Sequence, residues 1–170
     1  MLLQGKKGLV MGIANERSIA WGIAHEAYQN GAKLCLTYQN ELFKERIDKL
    51  ASSINCDFIL NCDVENQTSI KKLFNEISNV WGEIDFVVHA MAFSDKNELK
   101  GEFYNTTKEN FNRTMLISSF SLTEISKEAQ NLMNKNGGSI LTLSYIGGER
   151  TTPNYRSEER RVGKECRSRW

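Results

Sequence analysis

Short apolar runs alternate with amphipathic segments along most of the chain, and this alternation constrains the fold more than any other feature of the sequence. The apolar runs occupy residues 8–13, 32–38, 56–62, 84–90 and 139–145. The segments between them carry apolar residues at helical spacing and occupy residues 18–30, 41–50, 68–81 and 108–133. Parallel strands need helical crossovers and are buried on both faces, which makes each strand a continuous apolar run. The pattern therefore predicts an α/β protein with a doubly wound parallel sheet, Rossmann-like in type.

Each amphipathic segment has an apolar side that we expect to pack against the sheet. In the first three segments these sides consist of Ile19, Ala20, Ile23, Ala24, Ala27 and Tyr28, then Leu42, Phe43, Ile47 and Leu50, then Ile70, Leu73, Phe74, Ile77, Val80 and Trp81. The polar loop at 94–106, before the last segment, is longer than a usual strand-to-helix connection and indicates a functional role.

Size, charge and cysteine usage exclude several classes of protein. The 170 residues suit one domain with a sizeable core, and a net charge of +1 gives no reason to expect a nucleic-acid partner. No apolar run approaches the roughly 20 residues that cross a bilayer, and the amino terminus lacks the pattern of a secretion signal. Cys35 and Cys62 lie in apolar runs without a CxxC pair, and the two histidines are far apart. We therefore expect reduced core thiols, no metal site and a cytoplasmic location.

The turn after the first predicted strand has features of a phosphate-binding site. Gly12 permits close approach of a ligand to the backbone, and Ser18 can cap the following helix or bond a phosphate oxygen. The amino terminus of that helix would present N–H groups and the positive end of the helix dipole to an anion. Because the full G-x-G-x-x-G pattern is absent, an ordinary turn with a capping serine is an equal interpretation at this point.

Residues that follow the next three strands would share the carboxyl edge of the sheet. Gln39, after the second strand, can bond a ribose or an adenine but offers no positive charge to a 2′-phosphate, which favours NAD over NADP. Asp63, after the third, could bond the adenine amino group, and Met91, after the fourth, could lie against the ribose or the nicotinamide. Each alone is more often a turn residue, but in order along one edge they predict a dinucleotide site.

Two tyrosines follow at and after the fifth run. Tyr145 ends the run, and Tyr155 comes after a loop that contains the chain's only proline, Pro153. A buried parallel strand would deliver both phenols to its carboxyl end, where open α/β sheets bind ligands. One such tyrosine would be interpreted as a half-buried strand-end residue. Two of them, beside a predicted dinucleotide edge, indicate catalysis.

Taken together, these motifs resemble bacterial enoyl-acyl-carrier-protein reductases, a divergent branch of the short-chain dehydrogenase/reductase family. The elements that carry the resemblance are Gly12-x5-Ser18-Ile19-Ala20, Tyr38-Gln39, Cys62-Asp63-Val64, His89-Ala90-Met91-Ala92-Phe93, Asp95-Lys96-Asn97-Glu98-Leu99 and Ser144-Tyr145-x9-Tyr155. The resemblance covers residues 3–155. The spaced glycine–serine motif and the paired tyrosines make it more specific than a general dinucleotide-binding pattern.

The resemblance implies reduction of the trans-2 double bond of an enoyl-acyl-carrier-protein thioester by NADH, in fatty acid biosynthesis. It implies that Tyr155 donates to the thioester carbonyl oxygen, where charge builds, and that Tyr145 is a second phenol beside the substrate. Ser94 falls at a substrate-contacting position. The positions that match cofactor contacts are Gly12, Ser18, Ile19, Gln39, Asp63, Val64 and Met91. The resemblance also implies a homotetramer for the full-length protein.

After Tyr155 the chain departs from the family pattern. The family has a lysine seven residues after the second tyrosine, where this chain has Val162, and the four-residue spacing of ordinary short-chain dehydrogenases leads to Glu159. We therefore expect residues 1–155 to be an incomplete, carboxyl-terminally truncated dinucleotide-binding domain. We expect residues 156–170 to be a non-native tail, and this chain to catalyse poorly.

Two other functions stay open. One is a carbonyl (3-oxoacyl) reductase of the same superfamily, which usually has Asn-Asn-Ala-Gly after the fourth strand, where this chain has His89-Ala90-Met91-Ala92. The other is a non-catalytic nucleotide-binding fragment, which the missing lysine favours.

Overall fold

The computed structural model of the protein describes residues 1–144, which contain one five-stranded sheet. Its strands are β1 (Lys7–Met11), β2 (Lys33–Tyr38), β3 (Ile59–Asn61), β4 (Phe86–His89) and β5 (Ser139–Thr142). They lie in the order β3-β2-β1-β4-β5, and every neighbouring pair is parallel. This arrangement confirms the predicted doubly wound parallel sheet. Tyr145, Tyr155 and the predicted tail at 156–170 lie outside the described residues.

The described helices connect consecutive strands. They are α1 (Ile19–Gln29), α2 (Glu41–Ser53), α3 (Gln67–Trp81), α4 (Lys108–Met115), a π-helical segment (Leu116–Phe120) and α5 (Ser121–Ala129), with two short 3-10 helices, Lys96–Glu98 and Phe103–Asn105, before α4. Because parallel crossovers are right-handed, α1 and α2, on the path from β1 to β3, lie on one face of the sheet. Helix α3 returns from β3 to β4 and therefore lies on the other face.

By its contacts the chain divides into two compact units. The first comprises Met1–Ala90 and Thr123–Thr142, and therefore holds the whole sheet. The second comprises Met91–Leu122 together with Leu143 and Ser144 among the described residues. A core of the first unit packs α1 and α2 against the sheet, with fully buried Val10, Ala24, Leu36, Ile47 and Ala51.

Three apolar residues predicted to face the core are exposed instead. Ile19 is 68% exposed, Leu42 83% and Val80 60%. Each lies within two residues of an end of its helix, α1, α2 and α3 respectively. The apolar periodicity continues to the helix ends, whereas the packing against the sheet does not, so the prediction was wrong at these positions.

Strand β3 is shorter than the predicted run at 56–62. The amide of Cys56 bonds the carbonyl of Ala51 at the end of α2, and Asn55 adopts a positive φ of 48°. The chain is therefore still leaving the helix at Cys56, and strand pairing begins only at Ile59.

The predicted single helix at 108–133 is wrong in two respects. The π-helical segment interrupts it, and α5 ends at Ala129. Beyond that point Leu132 accepts a bond from the amide of Ile84, and Asn134 donates one back to the Ile84 carbonyl. These bonds hold the chain in an extended bridge beside Ile84, so the helix cannot continue to residue 133.

Within residues 1–144, no helix is both long and apolar enough to span a membrane. The same residues contain no group of three or more histidine, cysteine or acidic side chains that could hold a metal ion. Cys35, Cys56 and Cys62 are free and buried, which confirms the predicted burial of Cys35 and Cys62.

Candidate functional site

The carboxyl ends of β1, β2 and β3 meet at one edge of the sheet, because these strands are parallel neighbours. Gly12 directly follows β1 and has a φ of 94°, a left-handed conformation that side-chain-bearing residues rarely adopt. Gln39 directly follows β2, and Asp63 lies two residues after β3. The structure therefore brings these three predicted residues to the edge where open α/β sheets bind ligands.

The hydroxyl of Ser18 closes the turn between β1 and α1. Its Oγ accepts hydrogen bonds from the amides of Ala14 and Asn15, both at 3.0 Å, and the Asn15 side chain accepts one from the amide of Arg17 at 2.9 Å. Ser18 occupies the N-cap position of α1, but its side chain makes no capping bond to the helix. The capping role offered for it was wrong, because the hydroxyl is turned back to the preceding turn.

The start of α1 is consequently suited to an anion. The first N–H groups of a helix have no partner within it and carry the positive end of the helix dipole. The first turn of α1 contains no acidic residue that would repel a phosphate. Ile19, the first residue of this helix, is exposed at the same place.

The backbone at Gln39 is held by a residue that sequence reasoning missed. Asn61, the last residue of β3, donates from Nδ2 to the carbonyl oxygens of Gln39 at 2.9 Å and of Tyr38 at 3.4 Å. The side chain of Gln39 is exposed. The available signal was a polar residue inside an apolar run, immediately before the strand ends.

Asp63 is half-buried, and its carboxylate accepts a hydrogen bond from the amide of Glu65 at 3.0 Å. The amide of Asp63 donates to Ser69 Oγ at 3.0 Å, while Val64 is buried. Burial, with a smaller contribution from the Asp63 charge, raises the pKa of the neighbouring Cys62 thiol to about 12 despite a hydrogen bond from Ser69. Cys62 is therefore a neutral packing residue and no nucleophile at ordinary pH.

In the second unit, the predicted residues Met91 and Ser94 lie in the segment that follows β4. Both are half-buried. Ser94 Oγ accepts a hydrogen bond from Asn110 Nδ2 at 3.3 Å, and the amide of Asp95 donates to Asn110 Oδ1 at 3.0 Å. Ser118 Oγ accepts from the amide of Phe93 at 2.9 Å and bonds its carbonyl oxygen at 3.2 Å.

Asn110 and Ser118 were also missed by sequence reasoning. They belong to a group of buried polar residues on the helical stretch from α4 to α5, namely Asn110, Thr114, Ser118 and Ser121. Polar residues at spacings of three or four within an amphipathic pattern were the available signal, since a buried polar side chain needs a partner.

The predicted site residues lie in both units. The first unit contains Gly12, Ser18, Ile19, Gln39, Asp63 and Val64, and the second contains Met91 and Ser94. The predicted catalytic residues Tyr145 and Tyr155 lie outside the described residues.

Comparison with known proteins gives consistent matches. Residues 12–159 match the family model described as enoyl-(acyl carrier protein) reductase. The enoyl-[acyl-carrier-protein] reductase [NADH] FabI of Rickettsia bellii is 51% identical over 154 residues, which are 91% of this chain and 58% of that protein.

Solved structures agree with the sequence matches. The reductase of Anaplasma phagocytophilum, solved in complex with NAD, has a TM-score of 0.92 at 47% identity and covers 96% of this chain. That of Bacillus cereus, solved with NADP+ and indole naphthyridinone, has a TM-score of 0.92 at 42% identity and the same coverage. This chain spans 63% and 64% of those two chains. It therefore represents less than two thirds of the length of each relative described here.

Proposed function

Because the chain belongs to the enoyl-(acyl carrier protein) reductase family, we propose that it supplies the NADH-binding part of an enzyme that reduces the trans-2 double bond of an enoyl-acyl-carrier-protein thioester. The observation that carries the proposal is the turn between β1 and α1. There Gly12 adopts a left-handed backbone, Ser18 closes the turn, and the first helical turn lacks acidic residues.

These residues fit a dinucleotide. The N–H groups at the start of α1 would receive the pyrophosphate, Ile19 would lie against the cofactor, and Gln39 would bond the adenosine ribose. Asp63 would accept from the adenine amino group beside buried Val64, and Met91 would contact the nicotinamide half. When bound, NADH supplies the hydride that the reaction requires.

A preference for NADH over NADPH is supported by the charges near Gln39. Lys44, in the first turn of α2, lies 3.9 Å from a carboxylate oxygen of Glu41 and 5.8 Å from the centroid of the Tyr38 ring. The negative charge of Glu41 beside this lysine offsets part of the positive charge that a 2′-phosphate would need. The Bacillus cereus relative was solved with NADP+, so the preference between NADH and NADPH has to be measured for this chain.

The substrate chemistry assigns the remaining roles. Hydride addition at the β-carbon breaks the double bond and places negative charge on the thioester carbonyl oxygen, and a proton then adds at the α-carbon. Tyr155 would donate a hydrogen bond to that oxygen, with Tyr145 beside it and Ser94 in contact with the substrate. The enoyl group would be delivered on acyl carrier protein in the cytoplasm, and the full-length protein would be a homotetramer.

We further propose that this chain catalyses poorly, because Val162, beyond the end of the family match at residue 159, stands where the family has a lysine. A non-catalytic nucleotide-binding fragment is accordingly the second candidate. The two candidates differ in a single observable, the consumption of bound NADH.

The test combines binding and turnover on the full 170-residue chain. NADH and NADPH are titrated separately by nicotinamide fluorescence, and crotonyl-coenzyme A is then added while absorbance at the nicotinamide band is followed. We expect stoichiometric NADH binding, at least about tenfold tighter than NADPH, with little or no NADH consumption. Rapid consumption would contradict the predicted inactivity, and consumption only with a 3-oxoacyl thioester would favour the carbonyl reductase.

A matched pair of glycine variants tests the site itself. Gly12 and Gly82 both have positive φ, 94° and 73°, so replacement by alanine strains the backbone similarly. Only Gly12 lies in the proposed site, whereas Gly82 ends α3. We expect Gly12→Ala to weaken NADH binding at least about tenfold and Gly82→Ala to leave it within about twofold. Equal effects of the two variants would place the dinucleotide elsewhere.

A further inference from the structure

The helical stretch from α4 to α5 presents polar side chains where an apolar side would normally face the core. Asn110 and Ser118 are each 7% exposed, and Thr114 and Ser121 are fully buried. Burying such groups costs free energy unless each makes hydrogen bonds. Ser121 bonds the carbonyl of Ile117 within its own helix at 2.7 Å. The side chains of Asn110 and Ser118 also bond the segment after β4.

Three consecutive residues of that segment are held by these two side chains. Ser118 Oγ bonds both backbone groups of Phe93, and Asn110 bonds the hydroxyl of Ser94 and the amide of Asp95. The guanidinium of Arg113 lies 4.5 Å from the centroid of the Phe93 ring. Phe93 is thus held through its backbone by Ser118 and through its ring by Arg113.

The π-helical segment explains how one helix face reaches both ends of this contact. In an uninterrupted α-helix, residues eight apart are about 80° out of line, since each residue turns by about 100°. The π-helical segment, Leu116–Phe120, lies between Asn110 and the end of the stretch and contains Ser118. A π-helical turn contains more residues than an α-helical turn, so each of its residues rotates by a smaller angle about the helix axis. This smaller rotation brings Ser118 closer to the side of the helix that carries Asn110. Such π-helical turns occur frequently at functional sites.

The hydrogen bond at Ser94 has a defined direction. An amide Nδ2 only donates, so Ser94 Oγ is the acceptor. The hydroxyl hydrogen of Ser94 is then free to be donated to another oxygen. The bond from Asn110 therefore orients the Ser94 hydroxyl while its hydrogen stays available to donate.

We propose that Asn110 and Ser118 are positioning residues that fix Phe93–Asp95, so that the Ser94 hydroxyl donates a hydrogen bond to an oxygen of the acyl thioester. The proposal rests on the proposed function, because Ser94 is assigned to the substrate only there. In this proposal Asn110 and Ser118 act through Phe93, Ser94 and Asp95 rather than by binding the substrate or the cofactor themselves.

Amide hydrogen exchange tests the positioning without any ligand. We expect Ser118→Ala to raise exchange at the Phe93 amide at least about tenfold, and Asn110→Ala to do the same at the Asp95 amide. Ser119→Ala is the matched control, because Ser119 lies beside Ser118 in the π-helical segment and should leave both amides unchanged. Ser118→Thr keeps the hydroxyl and should restore protection at Phe93. Unchanged exchange in Ser118→Ala and Asn110→Ala would overturn the positioning role.

Ligand binding then tests the consequence for the substrate. With saturating NADH, we expect Asn110→Ala and Ser94→Ala each to weaken binding of crotonyl-coenzyme A about five- to tenfold, and the double variant to be no weaker than either single one. The NADH dissociation constant should stay within about twofold in all three, which loss of the fold would not permit. Additive losses in the double variant would overturn the proposed coupling of Asn110 to Ser94.

The two proposals fail separately. If the unmodified chain binds neither NADH nor crotonyl-coenzyme A, the proposed function and the role of Ser94 are wrong, while the exchange measurement still decides the positioning of Phe93–Asp95. If both ligands bind normally and Asn110→Ala has no effect on the thioester, the proposed function survives and this inference does not.

Discussion

Gly8 occupies a position in the sheet where even the Cβ atom of an alanine would not fit. It lies in β1 opposite Phe86 of β4, and a Cβ at Gly8 would overlap the Phe86 ring. Gly22, within α1, has no heavy atom within 4 Å of the position that a Cβ would take. Close packing against Phe86 therefore requires a glycine at position 8, whereas position 22 has room for a larger side chain.

Alanine substitutions at these glycines should have opposite signs. We expect Gly8→Ala to lower the free energy of unfolding by about 1–3 kcal/mol, because the core between β1 and β4 becomes overpacked. Gly22→Ala should raise it by about 0.5–1 kcal/mol through helix propensity. Urea denaturation followed by circular dichroism measures both, and a neutral Gly8→Ala would show that the Phe86 ring moves aside freely.

Asp85 ties together the amino-terminal ends of two strands. Its carboxylate accepts hydrogen bonds from Lys6 Nζ and the amide of Lys7, both at 2.8 Å, and from Asn134 at 3.4 Å. Burial raises the pKa of Asp85, but the bonds from Lys6 and Lys7 outweigh it and hold the pKa below its usual value. Ionised Asp85 therefore stabilises the fold above the pKa of the unfolded chain, about 3.9, and that contribution is lost as pH falls through the folded-state pKa.

Asp85→Asn should remove this pH-dependent contribution. At pH 7 we expect the variant to lose about 1–3 kcal/mol of unfolding free energy, and the difference from the unmodified chain to shrink as pH falls below about 4. Asp57→Asn, at an exposed acid, is the control and should change little at either pH. Urea titrations at several pH values decide the matter, and a pH-independent difference would mean that packing rather than charge is lost.

At the scale of single elements, helix α3 depends on its capping residue. Asn66 Oδ1 accepts hydrogen bonds from the amides of Thr68 at 2.9 Å and Ser69 at 3.3 Å. We expect Asn66→Ala to lower the unfolding free energy by about 1 kcal/mol because these first amides lose their partner. Asn75→Ala makes the same change at an exposed position within the helix and should be neutral or slightly stabilising. Thermal unfolding of the two variants in parallel gives the comparison, and equal losses would contradict the capping role.

Elements whose signal is local could be predicted from the sequence, and those shaped by distant partners could not. Strands β1, β2 and β4 follow from apolar runs, because burial on both faces leaves a continuous pattern. The run at β5 also predicted a strand correctly, but its predicted burial was wrong, because all four residues of β5 are exposed. The end of α5 could not be predicted, since the chain leaves the helix to pair with Ile84, far away in sequence. The π-helical segment could not be predicted for the same reason, because the spacing of apolar residues does not show that Ser118 bonds Phe93.

In the candidate site, too, some residues could be predicted from the sequence and others could not. Positions such as Gly12 and Gln39 were placed at the correct edge because parallel strands share their carboxyl ends. The supporting residues Asn61, Asn110 and Ser118 were missed, because a polar side chain in a sequence does not reveal which backbone group it will bond. Sequence patterns therefore predicted which residues lie at this edge more readily than the residues that hold its backbone.

On the scale of the whole first unit, the sheet ends at β5 among the described residues. Both large apolar side chains of this strand are partly exposed, Ile140 at 39% and Leu141 at 48%. Leu141 also lines an apolar groove of about 990 Å³ between α1 and the face of β4 and β5, together with Ile23 and Val88. An edge strand with exposed apolar side chains favours pairing with other chains.

We therefore expect the 170-residue chain to associate as its concentration rises. Leu141→Lys places a charge on the edge strand and should shift the onset of association to at least about fivefold higher concentration, as lysine does on natural sheet edges. Val80→Lys is the control, because Val80 is equally apolar and 60% exposed but lies on α3, away from the edge. Sedimentation velocity over a concentration series distinguishes the cases. If the unmodified chain stays monomeric throughout, the exposed apolar side chains of β5 do not drive association. If Val80→Lys acts as strongly as Leu141→Lys, net charge rather than the edge strand controls association.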